Sequence, residues 1–201
     1  MLSVQKEYFM IKLIYILLFS LIFSSTQFEI DNKKSSIKWK GTKSHGSYHE
    51  GLISIDSSIL NIDSNDMLLN GEIIIDMNSI ICTDIEDESS NLYLIEHLKN
   101  DDFFSAERFP NSVLTINKVI HIKNNDYNIN ADLTIKNQTH PINFSANIII
   151  ENGIGLASGA IEINRAKYGI KYKSKTWYPD IGDRFINDTF ELYFTLLSTK
   201  K

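Results

Sequence analysis

The sequence predicts an all-β domain, an up-and-down antiparallel β-barrel of about eight strands, lipocalin-like in outline, with one short helical insert near residues 91–108. Three observations predict it. Apolar and polar residues alternate over long stretches, which places one face of each strand in a core and the other in water. Turn-forming residues such as Asn124-Asn125-Asp126, Lys136-Asn137-Gln138 and Asn152-Gly153 punctuate the alternation at short intervals, so successive strands pair as hairpins. A single stretch, 97–110, breaks the pattern with Asp101-Asp102-Phe103-Phe104 and ends on Pro110. Closing such a sheet into a barrel removes the edges that a long antiparallel sheet would expose.

The first element lies ahead of the barrel. Residues 13–23 are an apolar run, broken only by a serine, preceded by Lys12 and followed by Ser24, Ser25 and Thr26. A cationic start, an apolar centre and small residues are the layout of a secretory signal peptide. The expectation is a leader over residues 1–26, with Met10 as an alternative start, and a periplasmic or secreted domain over 27–201. The run is shorter than the roughly 20 residues of a spanning helix; an uncleaved anchor is the rival reading.

Strands are expected over 36–43 and 48–56, a short piece near Leu60, and 67–77, where Ile73, Ile75 and Met77 share a face. After the insert comes 112–122, with Leu114, Ile116, Ile120 and Ile122 as one set. Residues 127–136 follow, with Tyr127, Ile129, Ala131, Leu133 and Ile135 on one side. In 140–150 the set is Ile142, Phe144, Ala146, Ile148 and Ile150. The last strands are 154–165 and 187–197, the latter presenting Phe190, Leu192, Phe194 and Leu196. About eight strands leave an interior that is either filled by side chains or able to hold one small ligand.

The insert is the least strand-like segment. Ser89, Ser90 and Asn91 offer helix N-cap groups, and Leu94, Ile95 and Leu98 fall on one helical face. A helix this short needs packing to persist, so its expected place is across one barrel mouth, with Phe103 and Phe104 pointing inward. It is then either a plug completing the core or the lid of a cavity. From Arg165 onward, Lys167, Lys171, Lys173 and Lys175 alternate with Tyr168, Ile170 and Tyr172. If extended, this is a cationic stripe: an edge strand guarded by lysine, or a patch that attracts an anionic headgroup or membrane.

Composition excludes several classes. The chain carries a net charge of −5, and setting aside residues 1–26, which hold Lys6, Lys12 and Glu7, leaves −6. That argues against a nucleic-acid partner. Cys82 is the only cysteine and reads as a small buried apolar residue. The five histidines lack the spacing of a zinc site. No nucleophile elbow, phosphate loop or dinucleotide fingerprint is present, and no cofactor or metal is expected. The carboxylates Asp84, Glu86, Asp87 and Glu88 read as a solvated run.

Several ordered segments resemble the YceI-like family of lipid- or polyisoprenoid-binding proteins. They are Asp76-Met77-Asn78-Ser79-Ile80, then His97-Leu98-Lys99-Asn100-Asp101-Asp102-Phe103-Phe104 with Arg108-Phe109-Pro110. Leu133-Thr134-Ile135-Lys136-Asn137, Asn164-Arg165-Ala166-Lys167-Tyr168-Gly169 and Gly182-Asp183 complete the set, which spans about residues 28–198. The acidic lead-in before the helix is similar to that of the subgroup from Bacteroidetes-type bacteria. Asn137 stands where a glycine is common, a change that a left-handed turn tolerates.

The resemblance implies a barrel with an elongated apolar cavity that accommodates an isoprenoid lipid or quinone without catalysis. The residues expected to wall or cap it are Phe103, Phe104, Ile129, Leu133, Phe144, Tyr168, Trp177, Phe190 and Phe194, with Arg165, Lys167 and Lys171 as headgroup or surface cations. The leading reading is non-catalytic binding, transport or storage of an apolar lipid chain. The alternative is an accessory interaction protein, for a membrane electron-transfer or envelope-stress system, with a closed core. A lipid hydrolase using His97 as base lacks any paired nucleophile. Transient contact with a membrane or membrane protein, and a homodimer, are compatible with either reading.

Overall fold

Left-handed turn residues decide where this chain doubles back. Lys136 and Asn137 (φ +51° and +58°), Asn152 and Gly153 (+53° and +76°), Asn124 (+50°) and Asp66 (+58°) all adopt the left-handed backbone that tight hairpins require. A computed structural model describes residues 25–201. It contains nine strands: β1 Thr26–Ile30, β2 Ser36–Lys43, β3 Tyr48–Ile62, β4 Leu68–Cys82, β5 Asn111–Lys123, β6 Asp126–Ile135, β7 Gln138–Glu151, β8 Ile154–Asn164 and β9 Ile186–Lys200. One helix, α1 Glu88–Lys99, separates β4 from β5, and a 3-10 turn Arg165–Tyr168 follows β8.

All neighbours are antiparallel, and β2 through β9 close a ring of eight because β3 pairs β4 while β2 pairs β9. The ninth strand adds no stave. β1 pairs both β3 (Thr26 with Ile62) and β9 (Ile30 with Ser198), filling the gap beyond the start of β2 between the same two neighbours. The first two strands are thus two halves of one broken stave.

The alternating sets face inward as the sequence predicts along most of the ring. Ile129, Ala131, Leu133 and Ile135 of β6 are all buried, as are Ala146 and Ile148 of β7. β5 departs from expectation. Its register shifts between Ile116 and Lys118, so Val119 packs on the core while Ile120 and Ile122 are 37% and 53% exposed. One extra residue at a bulge reverses the faces of everything after it.

Other boundaries move too. β3 runs unbroken through the piece expected near Leu60, carried past two register shifts, and β4 continues to Cys82 rather than stopping at Met77. The leader expected over residues 1–26 lies outside the described residues except for Ser25 and Thr26, and Thr26 already belongs to β1.

Gly51 shows how closely strand and side chain meet. The Trp39 ring lies across it, its Nε1 donating to Ile81 O at 3.1 Å, and a Cβ on Gly51 would meet that ring at 2.8 Å and the Ile81 carbonyl as well. The glycine is the space that Trp39 occupies.

Candidate functional site

The helix that closes one end of the barrel is held at both ends by polar contacts. Asp87, not the expected serines, caps α1: its Oδ2 accepts from Ser89 Oγ and Ser90 N at 2.7 and 2.8 Å, which holds its pKa at about 2. Asn91 Nδ2 donates to the carbonyls of Cys82 and Ile85, tying the first turn to the end of β4. No residue of α1 is fully buried. It packs as a cover, with Leu94 and Leu98 turned toward the barrel and Leu92 and Tyr93 51% and 71% exposed.

After Lys99 the chain reverses: Phe104 N donates to Leu98 O at 3.1 Å and Ala106 N to Lys99 O at 2.7 Å, with Ser105 at φ +50°. This reversal throws Phe103 and Phe104 inward, as the sequence predicts.

Behind that cover lies a cavity of about 590 Å³, within the ~300–1,000 Å³ typical of small-molecule sites. Ile75, Met77 and Ile80 of β4, Leu133 and Ile135 of β6, and Phe190 and Leu192 of β9 form its walls, with Ile37 and Trp39 of β2. An aromatic cluster closes one side. The His97 ring stands edge-on to Phe103 and Tyr172 at 5.0 and 4.6 Å, and its Nε2 lies 3.2 Å from Asp102 Oδ2. His97 thus braces the cover.

The cavity occupies only the helix-covered half of the barrel. The other half is solid, filled by Phe28, Ile62, Ile129, Ala131, Ile148 and Phe194. Phe103, Phe104, Leu133 and Phe190 therefore line the cavity, whereas Ile129, Phe144 and Phe194 pack in the filled half. Tyr168 is 1% exposed beneath His140, and Trp177 lies outside, 43% exposed. Inward alternation identifies both halves alike and cannot separate them. Trp39, Tyr93 and Met77 line the cavity and escaped prediction, although Ile37, Trp39 and Gly41 alternate in the same way.

The basic segment is not extended. Asn164 Oδ1 accepts from Ala166 N at 3.0 Å, Gly169 turns left-handed at φ +70°, and the chain between them winds into the 3-10 turn. Arg165 is 3% exposed and lines the cavity wall, but its guanidinium is fully engaged. Nε donates to Asn187 O, Nη1 to Ile170 O and Tyr172 O, and Nη2 to Ile186 O, with Asp188 Oδ1 at 3.3 Å from Nη2. It fastens the loop after β8 to the start of β9. Lys167 and Lys171 are exposed and outside the cavity, Lys171 Nζ standing 4.1 Å over the Trp177 ring.

A chain of polar contacts runs from the cavity mouth into the wall. Lys43 Nζ is 3.3 Å from His49 Nε2, and His49 Nδ1 is 2.9 Å from Asp84 Oδ2. Lysine can only donate, so Nε2 accepts and the imidazole proton sits on Nδ1, facing the carboxylate. Asp84 Oδ1 also accepts from Glu50 N and from Cys82 Sγ. Burial and this bond push the Cys82 thiol above its ordinary pKa, so it remains a protonated donor rather than a nucleophile.

Burial works to raise the Asp84 pKa, but the bonds from Glu50, His49 and Cys82 outweigh it and hold the carboxyl below the ordinary range. Asp188 behaves alike: burial works to raise its pKa, but the hydroxyls of Ser174 and Thr176, the Thr176 backbone N–H and the charge of Arg165 outweigh it. Its Oδ1 makes no well-aligned hydrogen bond among the described residues and lies 3.3 Å from Arg165 Nη2. Carboxylates with lowered folded pKa contribute stability that is present above about pH 4 and lost as pH falls through the folded values. Asp188→Asn is therefore expected to lower stability at neutral pH and to flatten its decline below about pH 4. Urea midpoints across the acid range check this; an unchanged acid slope would assign the decline to other groups.

Among the described residues, no group of three or more His, Cys, Asp or Glu side chains is placed to hold a metal ion, and no helix is long and apolar enough to cross a membrane. The YceI-like domain model matches residues 28–197. No curated protein matches the chain. Among solved structures, BcnA of Burkholderia cenocepacia superposes with a TM-score of 0.64 at 19% identity, covering 84% of this chain and 98% of that one. A polyisoprenoid binding domain from Saccharophagus degradans, implicated in plant cell wall breakdown, gives 0.62 at 14% identity over 87% and 98%. A YceI protein of Campylobacter jejuni gives 0.56 at 20% identity over 72% and 80%. At these identities the superpositions speak for the fold alone.

Proposed function

Because this chain belongs to the YceI-like domain family, we propose that its cavity holds the apolar chain of a lipid, of isoprenoid or quinone type, for transport or storage and without catalysis. The cavity itself carries the reading: about 590 Å³ lined chiefly by isoleucine, leucine, methionine and aromatic side chains, with no cluster placed to hold a metal ion among the described residues. Such a wall binds by desolvation, at about 0.8 kcal/mol per buried methylene. A few isoprene units then offset the cost of association. The Saccharophagus degradans domain, described as polyisoprenoid binding, supports the same ligand class. The alternative accessory-protein reading assumed a closed core, and only half of this barrel is filled.

The reading includes export through the leader and loading at a membrane surface, where such lipids reside. Its test is direct. Solvent extraction and mass spectrometry of the purified chain are expected to recover an isoprenoid, and the stripped protein to take up a fluorescent polyene saturably, displaced by a quinone. Extracts without lipid, together with uptake that does not saturate, would refute it.

A further inference from the structure

We propose that the outer surface of residues 167–185, the segment leading from the 3-10 turn to β9, is a docking face for an anionic membrane. This rests on the reading that the cavity holds an apolar chain, and it names the surface against which that chain is loaded.

Charge is the first observation. The chain is acidic, with 25 Asp and Glu against 20 Lys and Arg. This segment reverses the balance, carrying Lys167, Lys171, Lys173, Lys175 and Arg184 against Asp180 and Asp183. All five cations are exposed, and none has a carboxylate within 4.0 Å among the described residues. Three of them sit on rings instead. Lys171 Nζ is 4.1 Å from the centre of the Trp177 ring, Lys175 Nζ 5.0 Å from that of Phe185 and Lys173 Nζ 5.3 Å from that of Tyr172. A ring face holds an ammonium without neutralising it, so the charge stays free to attract a surface of opposite sign.

The exposed rings are the second. Trp177 and Tyr178 stand 43% and 51% exposed among these lysines. Rings with an apolar body and one polar atom favour the boundary between headgroups and hydrocarbon. An acidic protein would answer the lysines, but a bilayer answers the lysines at its phosphates and the rings just beneath them.

Rigidity and placement are the third. The backbone is tied down while those side chains stand out. Tyr178 N donates to Ser174 O at 2.9 Å, and Thr176 donates through N and Oγ1 to Asp188 Oδ2 at 3.1 and 2.6 Å. Arg165 Nη1 holds the Tyr172 carbonyl at 2.9 Å, and Ile186 N donates to Lys173 O at 2.9 Å. Tyr172, Lys173 and Ile186 in turn line the cavity. The face therefore borders the cavity. Pressed on a bilayer, it brings the cavity against the phase in which an apolar chain resides.

Flotation with vesicles tests this. The exported protein, stripped of lipid, is mixed with vesicles of phosphatidylcholine alone or of equal parts phosphatidylcholine and phosphatidylglycerol. Beside it run the triple variant Lys167→Gln, Lys171→Gln, Lys175→Gln and the single variant Trp177→Ser. All four residues are exposed, so both variants are expected to keep their fold by circular dichroism. The expected result is binding to the anionic vesicles alone, weakened by salt. The triple variant should lose about a hundredfold, about fivefold for each lysine, and Trp177→Ser should bind more weakly at every salt concentration. Saturable uptake of a fluorescent polyene, offered without vesicles, should be unchanged in both. Equal binding to the two vesicle types, or anionic binding undiminished in either variant, would overturn the proposal. Retention on polyglutamate without vesicle binding would overturn it too, and would assign the patch to an acidic protein. These outcomes leave the cavity reading standing wherever the polyene is taken up. Failure of polyene uptake would instead bring down the cavity reading, and the loading role of this face with it.

Discussion

Replacing Arg165 by alanine is expected to destabilise the barrel by about 3–5 kcal/mol, the usual cost of removing one partner from a buried ion pair. The substitution strands Asp188, whose side chain is 14% exposed and whose Oδ1 has no other partner among the described residues. It also removes the donor from the carbonyls of Ile170, Tyr172, Ile186 and Asn187. Carbonyls shut away from water without donors carry their own penalty. Lysine should rescue little, because a point charge on a flexible stem cannot reproduce a planar fork that reaches four acceptors. Urea denaturation of the three proteins measures the effect. A loss below about 1 kcal/mol, the range of an exposed pair, would mean that Arg165 is no brace.

The second large effect is on binding. Leu133→Trp places an indole in the cavity at a residue that is 7% exposed and faces the space directly. Extra volume in a packed core costs about 1–3 kcal/mol, but here the ring has space to enter, so the fold should survive. Lipid uptake should fall by about two orders of magnitude or more, since each methylene displaced forfeits roughly 0.8 kcal/mol. Ile129→Val supplies the contrast. That residue is 1% exposed in the filled half, so its truncation should cost about 0.5–1.5 kcal/mol of stability and leave uptake unchanged. Equal binding by wild type and Leu133→Trp would move the ligand out of this cavity.

These two positions also mark how far the sequence could be read. Leu133 and Ile129 share one face of β6, and alternation finds both because the strand has a period of two. What alternation cannot report is which inward residues meet across the barrel and which leave a gap, because that depends on strands far apart in sequence. The cover was legible through its composition: phenylalanines after a short polar-faced helix have few other uses. Its cap on Asp87 was not, since serine and asparagine nearby were equally good candidates.

β5 misled because a bulge at Asn117 leaves no mark in composition while reversing the face of Ile120 and Ile122. The basic segment misled for a related reason. Its even spacing imitates a strand, but Asn164 and Gly169 bracket a turn, and Arg165 then folds the loop around its own guanidinium.

The same register sets an order of events for a growing chain. β9 comes after the other eight described strands, yet it pairs with β8 and with both halves of the broken stave, joining Ser36 to Thr195 and Ile30 to Ser198. Until β9 is made, β1 and β2 lack one neighbour, the ring stands open, and the wall that Phe190 and Leu192 supply does not exist. Joining ends so distant in sequence makes closure a late and slow step. A chain emerging from its N-terminus spends most of its synthesis as an unclosed sheet with bare edges, the state in which sheets aggregate. The cavity exists only after β9 closes the ring.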